Sequence, residues 1–359
     1  MLRNLLNHRS GRIRRTVGYV THLLELLGAE VPVLAAPMAG GPSTPALVLA
    51  AVEAGSTGFL AAGYKTAEAL EAEIAEVRGR TGGFAVNLFA PRPTPVDPTA
   101  YAAYRELLLP LAAQYAVELP ARPREDDDQW QAKVEVLVAA APPVVSFTFG
   151  LPDEDAARRL RRAGCLLLQT VTGADEARTA AAAGMDVLVA QSVDAGGHSG
   201  TFTPERPPAR VPLPDLVREV RAATGLPVLA AGGVGTSADV RAALDAGAEA
   251  VAVGTLLLLA DEAGTNPAHR AGLLGTDRGD PVTTAAFTGR PAGALPNDFL
   301  AAYGAAAPLG YPALHHLTSP IRRAAVARAD PEHVNLWAGT GHRHARAEPA
   351  AAILRSLLP

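Results

Sequence analysis

The feature that most constrains this chain is a local pattern that recurs along it: an Ala-rich stretch, one glycine, then a short apolar run. It is visible as AAVEAGSTGFLAAG from Ala50, AAAAGMDVLVAQ from Ala180 and AALDAGAEAVAVG from Ala242. Glycine supplies the left-handed conformation that commonly closes a helix, so Gly55, Gly184 and Gly247 mark helix exits and the runs after them mark strands. Read this way, the strands are VPVLAAPM from Val31, STGFLAAG from Ser56, GFAVNLF from Gly83, PVVSFTFG from Pro143, CLLLQTV from Cys165, MDVLVAQ from Met185, PVLAAGG from Pro227 and AVAVGTLL from Ala250. Eight nearly continuous apolar strands alternating with helices predict a parallel sheet covered on its outer face. A closed (β/α)8 TIM barrel satisfies this without edges, and a doubly wound open sheet is the second architecture compatible with it.

Two intervals exceed the usual connection. Residues 90–142, between the third and fourth strands, open on PRPTPVDP and carry two helical stretches around an acidic run, Glu125 to Asp128; they are expected to form a helical insertion beside the barrel. The acidic run itself reads as a solvated turn rather than a metal site. The Pro-rich TPERPPARVPLP, between the sixth and seventh strands, is long enough to cover a site. Residues 1–30 read as a basic arm, with Arg3, Arg9, Arg12, Arg14 and Arg15, followed by a lead-in helix. Residues 31–274 read as the barrel and residues 275–359 as a C-terminal helical region on the substrate side.

Charge and cysteine content narrow the function classes. The formal net charge of −4 gives no overall electrostatic attraction to nucleic acid or an anionic membrane, and no apolar run has the length of a membrane span. The single cysteine, Cys165, excludes an intrachain disulfide and fits a reducing, cytoplasmic compartment. A small-molecule substrate is the expected partner, with a homo-oligomer compatible with the sequence.

In a barrel, loops at the strand C-terminal ends build the site. The richest such loop follows MDVLVAQ, where Gln191, Asp194, Gly196, Gly197 and His198 fall within eight residues. Strands seven and eight end in Gly232 to Gly235 and in Gly254 with Thr255, small-residue turns that let backbone N–H groups approach a phosphate. Asn87 and Gln191 can each donate and accept. That suits the mixed edge of a flavin or pyrimidine ring, and equally the satisfaction of backbone groups at strand ends.

The segments APMAGGPSTPALVLAAVEAG, GFAVNLF, VAQSVDAGGHSGTF, LPVLAAGGV, AVAVGT, FTGRPAGALPN and LWAGTG, taken in order, resemble the motifs of class I nitronate monooxygenases, formerly 2-nitropropane dioxygenases. The resemblance implies a flavoprotein with noncovalent FMN that oxidises alkyl nitronates, such as propionate 3-nitronate, with O2 to carbonyl compounds and nitrite. By motif, FMN would contact Pro37, Met38 and Ala39, then Asn87, then Gln191 and Gly196. Its phosphate would lie against Gly233 and the run Ala252, Val253, Gly254 and Thr255. The family histidine maps to His198, beside the flavin, orienting substrate and acting as base toward a neutral nitroalkane.

Two positions depart from the family pattern. Ser199 stands where an arginine is expected, and GRPAGALPN lacks another arginine, with Arg290 as a partial replacement. Two rival readings remain: an FMN-dependent enoyl-acyl-carrier-protein reductase consuming NAD(P)H, and a noncatalytic flavin-binding barrel. Lys65 reads as a helix-start lysine, the pairs His315 with His316 and His342 with His344 lack metal-site partners, and Tyr311 and Trp337 read as packing residues.

Overall fold

The computed structural model describes residues 24–206, 208–275 and 277–359. The basic arm, with most of its lead-in helix, lies outside the described residues. Eight parallel strands follow one another round a barrel: β1 (Val33–Ala35), β2 (Phe59–Ala61), β3 (Ala85–Phe89), β4 (Val144–Thr148), β5 (Leu166–Val171), β6 (Val187–Gln191), then, after the short β7 (Gly197–His198), β8 (Val228–Ala231) and β9 (Ala250–Val253). β1 pairs with β9, and the circle closes where Ala35 bridges Gly58 and donates its N–H to Thr57 O at 2.9 Å. The expected TIM barrel is therefore the architecture of this chain. Gly55, Gly184 and Gly247 have φ of 74°, 81° and 102°, the left-handed values anticipated for them.

Side chains alternate across each strand, so one set fills the lumen and the other meets the helices. Low in the lumen, Leu34, Phe59, Ala85, Val144, Leu168 and Leu229 form an apolar plug closed from below by the fully buried Leu27. Toward the strand C-terminal ends the lumen turns polar. Asn87 Nδ2 donates to Ser146 Oγ at 2.9 Å and to Thr148 Oγ1 at 3.1 Å, and Thr170 follows on β5. The barrel is thus dry at one end and chemically equipped at the other.

The outer layer begins with α1 (Pro45–Glu53) and α2 (Ala67–Arg78), whose caps Thr44 and Thr66 accept from the N–H groups of Leu47 and Ala69. α3 (Pro98–Gln114) stands outside the ring, whereas α4 (Trp130–Ala140) packs between α2 and α5 (Glu154–Arg162) as an ordinary barrel helix. α6 (Ala174–Ala182), α7 (Leu213–Thr224) and α8 (Ser237–Asp245) complete that side. Of residues 90–142, then, α3 alone supplies an added helix.

Beyond β9 come α9 (Pro267–Leu274), strands β10 (Val282–Thr284) and β11 (Ala292–Ala294), α10 (Asp298–Tyr303), α11 (Ala313–Ala327) and α12 (Ala350–Ser356). α3 packs against α11, and their apolar faces share a second core with Phe287, Phe299 and Leu336 above the barrel mouth. α12 does something different. It packs on α1, sends Ile353, Leu354 and Leu357 into the barrel core, and donates from Arg355 Nη2 to Glu53 O at 2.7 Å. The chain's last helix thus fills the place of the eighth barrel helix. Among the described residues no helix is long and apolar enough to cross a membrane.

Candidate active site

A cavity of about 660 Å³ opens at the polar end of the lumen, within the range of small-molecule and cofactor sites. The residues singled out from the sequence meet on its wall. Pro37, Met38 and Ala39 enter after β1 and Asn87 from β3; Gln191, Gly196 and His198 come from the β6 loop. Gly233 follows β8, while Ala252, Val253, Gly254 and Thr255 close β9.

His198 is fixed by backbone pairing. β7 lies antiparallel to β11, with His198 opposite Ala292, and the ring Nε2 sits 2.9 Å from Thr288 Oγ1. The rings of Phe149, Trp337 and Tyr311 surround it with centroids at 5.4, 5.5 and 5.9 Å. Burial, reinforced by the nearby Arg290 and Arg322 guanidiniums, pushes the imidazole down to about 3, so it is neutral at physiological pH. Gln191 braces the loop: its Nε2 donates to His198 O at 3.1 Å and its Oε1 accepts from Gly200 N at 2.7 Å. Of the two roles open to the amides, Gln191 performs the backbone one. Asn87 spends its Nδ2 on the lumen hydroxyls, leaving Oδ1 as the acceptor available to a ligand.

Sequence reading missed Glu176. This α6 carboxylate accepts from Thr201 Oγ1 at 2.8 Å and Phe202 N at 2.7 Å, tying the far side of the histidine loop to the β5 end, where Thr172 N also donates to it at 2.7 Å.

The β8 and β9 turns form an amide cradle. Gly232 and Gly233 have φ of 97° and 76°, and the N–H groups of Gly233, Val234 and Gly254 donate to none of the described residues. The LWAGTG loop lies flush against this cradle. Gly339 N donates to Thr255 Oγ1 at 3.0 Å, and a Cβ on Gly341 would sit 2.5 Å from Val234 O. Cβ atoms placed on Gly40 and Gly197, both on the cavity wall, would meet no protein atom within 4 Å. That open space leaves room for a ligand close to the backbone.

Positive charge on the cavity wall comes from Arg322 and the exposed Arg323, neither of them selected by the sequence reading. Arg322 on α11 lines the cavity and bonds Asn335 Oδ1 at 3.2 Å, His315 O at 2.9 Å and Ser319 Oγ at 3.1 Å, with no carboxylate partner among the described residues. Desolvation pushes its guanidinium down to about 10. Arg290, offered above as a replacement for missing family arginines, is fully buried outside the cavity wall. It lies 4.1 Å from the Phe149 ring centroid and donates to Thr201 O. Ser199 also faces away, on a small cleft behind β7. Arg290 therefore adds no charge to the cavity wall and does not stand in for the missing arginines there.

Other expectations resolve quickly. Lys65 pairs with Glu73 at 2.6 Å. Cys165 is buried and its thiol is pushed up to about 11 by desolvation, the behaviour of a packing residue. Trp337, read as a packing residue in a tail on the substrate side, lines the cavity. In the acidic run Glu125, Asp126 and Asp127 are exposed, but Asp128 turns inward to pair with the buried Lys133 at 2.7 Å, so the reading as a solvated turn fails there.

A (β/α)8 barrel with a histidine loop on β6 and an amide cradle on β8 and β9 defines an enzyme whose site lies at the strand C-terminal ends. The nitronate monooxygenase family model matches residues 21–359, and the chain belongs to that family of oxidoreductases. It is 40% identical over 344 residues to a nitronate monooxygenase of Pseudomonas aeruginosa, covering 93% of this chain and 97% of that one. A probable nitronate monooxygenase of Staphylococcus aureus is 33% identical, with coverage of 94% and 96%. Among solved structures, a nitroalkane oxidase from Streptomyces ansochromogenes superposes with a TM-score of 0.88 at 45% identity, covering 93% and 96% of the two chains. FabK from Thermotoga maritima gives 0.68 at 25% identity, covering 94% of each.

Proposed function

We propose that this protein oxidises alkyl nitronates with O2, using noncovalently bound FMN, to carbonyl compounds and nitrite. The observation that carries the reading is the meeting, on one cavity wall, of a neutral His198 and a half-buried Arg322 that has no carboxylate partner among the described residues. A partly desolvated cation without a counter-charge favours an anionic ligand, and a nitronate is an anion.

The residues present fit FMN. The free N–H groups of Gly233, Val234 and Gly254 suit its phosphate, the open space over Gly40 and Gly197 suits a flat ring near backbone, and Asn87 Oδ1 suits a ring N–H. When bound, FMN would take electrons from the substrate and return them to O2. The chain's own groups then have defined work: Arg322 attracts and orients the anion, the aromatic rings around His198 exclude water, and His198 handles protons at its free ring nitrogen.

An imidazole held at about 3 is a weak base, well below the range in which general bases work best near neutral pH. Removing a proton from a nitroalkane carbon is therefore unfavourable in this cavity, and a nitronate, already deprotonated, avoids that step. This supports nitronates over neutral nitroalkanes as the better substrates. The test is an oxygen-electrode assay with nitrite and carbonyl analysis on FMN-loaded protein. The reading requires O2 uptake accompanied by both products with a nitronate, and it fails if O2 uptake occurs without nitrite.

A further inference from the structure

Arg322 spends most of its donors on its own neighbours. Nε donates to Thr318 Oγ1 at 3.0 Å and Nη1 to Asn335 Oδ1 at 3.2 Å, while Nη2 is shared among His315 O at 2.9 Å, Ser319 Oγ at 3.1 Å and His315 Nδ1 at 3.3 Å. A guanidinium carries five N–H donors and no acceptor, so a single N–H, on Nη1, is left for a ligand. An anion with two oxygens needs more than that from the wall around it.

The same donor-only character sets the polarity of every group that accepts from Arg322. Asn335 must give Oδ1 to the guanidinium, so Nδ2 is its remaining end, and no described residue accepts from it. His315 must offer a lone pair at Nδ1. Desolvation, and after it the Arg322 charge, hold this imidazole well below the ordinary histidine value, so the ring is neutral and its one proton sits on Nε2. No described residue accepts from that N–H either. His315, Ser319 and Arg322 lie on one face of α11 at spacings of four and three residues, and Asn335 joins them from just before LWAGTG; all four line the cavity. The His315 ring is steadied by a parallel stack on Tyr64 at 4.2 Å. Among the described residues the cavity wall carries no Asp or Glu.

We propose that His315 Nε2 and Asn335 Nδ2, together with the remaining Nη1 N–H of Arg322, are the donors that bind the two oxygens of a planar oxyanion, and that these residues hold the nitrogen-bound oxygens of the substrate. Nitronates and carboxylates share that chemistry. That the reacting ligand is a nitronate rests on the functional reading above; the donor pocket does not. His315→Phe keeps a ring to stack on Tyr64 and removes the donor, whereas His315→Gln keeps a donor. His315→Phe and Asn335→Ala should each weaken anion binding by about 10- to 100-fold, the effect of losing a bond to a charged group, and His315→Gln should restore much of the loss. For a nitronate the change should fall on KM more than on kcat, because the bonds are made in the bound ground state.

The experiment titrates FMN-loaded full-length protein with propionate, read by the change in flavin absorbance, and measures ethylnitronate kinetics on the same preparations. Propionate has the two-oxygen geometry and reads the pocket without turnover. Saturable binding to the wild-type protein, weakened in His315→Phe and Asn335→Ala at unchanged FMN affinity, is expected. Absence of propionate binding to the wild-type protein, equal binding to the variants, or equal losses in His315→Phe and His315→Gln overturns the pocket. A fall in FMN affinity in step with propionate affinity makes the residues structural and overturns it as well. Wild-type protein that binds propionate through these residues but is inert toward ethylnitronate removes the functional reading and leaves the pocket standing.

Discussion

His198 Nε2 lies 2.9 Å from Thr288 Oγ1, and that hydroxyl in turn points at Arg290 O, 3.4 Å away. A carbonyl only accepts, so the direction of this relay is set from its far end: Thr288 donates to Arg290 O, and Nε2–H donates to Thr288. The relay leaves Nδ1 as the nitrogen with a lone pair. It fixes the tautomer of the ring that links the histidine loop to the FTGRP segment.

Substitution of this pair separates orientation from proton transfer. Because an imidazole held at about 3 is a weak base, His198→Ala should lower kcat/KM for a neutral nitroalkane by about 10²-fold at most, the low end of a general base's usual worth, and lower it less still for the corresponding nitronate. Thr288→Val, which removes the relay but keeps the shape, should move both substrates in the same direction as His198→Ala but by less. Steady-state kinetics on matched nitroalkane and nitronate pairs checks this, and equal losses on both substrates would remove the base role.

Arg322 is a half-buried cation on the cavity wall, so Arg322→Met should raise KM for a nitronate by about 10- to 100-fold, as expected for loss of a bond between charged groups. Arg322→Lys keeps the charge but loses the planar fork, and should fall between the two. By contrast, Arg290→Met should act mainly on stability, because Arg290 packs on Phe149 away from the cavity wall. Kinetics and thermal unfolding measured on the same preparations distinguish the two arginines.

The buried histidines predict an acid-side loss of stability. His198 and His269 are held at about 3 and about 4, in both cases chiefly by desolvation, against an ordinary value near 6.5. Below pH 6.5 the unfolded chain binds protons that the folded chain refuses. The stability they contribute is thus full above that pH and lost as pH falls toward 4, by about 1.4 kcal/mol per pH unit for each ring. Denaturant unfolding between pH 7 and 4.5 should show this slope, and His269→Gln should flatten it.

The barrel was legible because its eight apolar strands and glycine-closed helices are local signals, each read within about a dozen residues. The cavity residues that follow strand ends were legible for the same reason. Glu176, Thr288 and Arg322 were not, since each acts through partners scores of residues away or through a half-buried charge that resembles any surface arginine in sequence. α12 was hidden likewise: its apolar residues look like an ordinary amphipathic end, and only the closed ring shows that α1 needs them. Burying Ile353, Leu354 and Leu357 is worth about 5–9 kcal/mol together, comparable with the whole stability of a domain. Truncation before Ala350 should therefore yield insoluble or unfolded protein, judged by circular dichroism, and a folded truncated barrel would refute this place for α12.

The visible spectrum of the FMN-loaded protein under anaerobic conditions tests the central claim most directly. Addition of a nitronate alone should bleach the flavin absorbance, and admission of air should restore it with release of nitrite. Rapid bleaching by NADH with no response to the nitronate would contradict the claim and point instead to the NAD(P)H-dependent reductase reading.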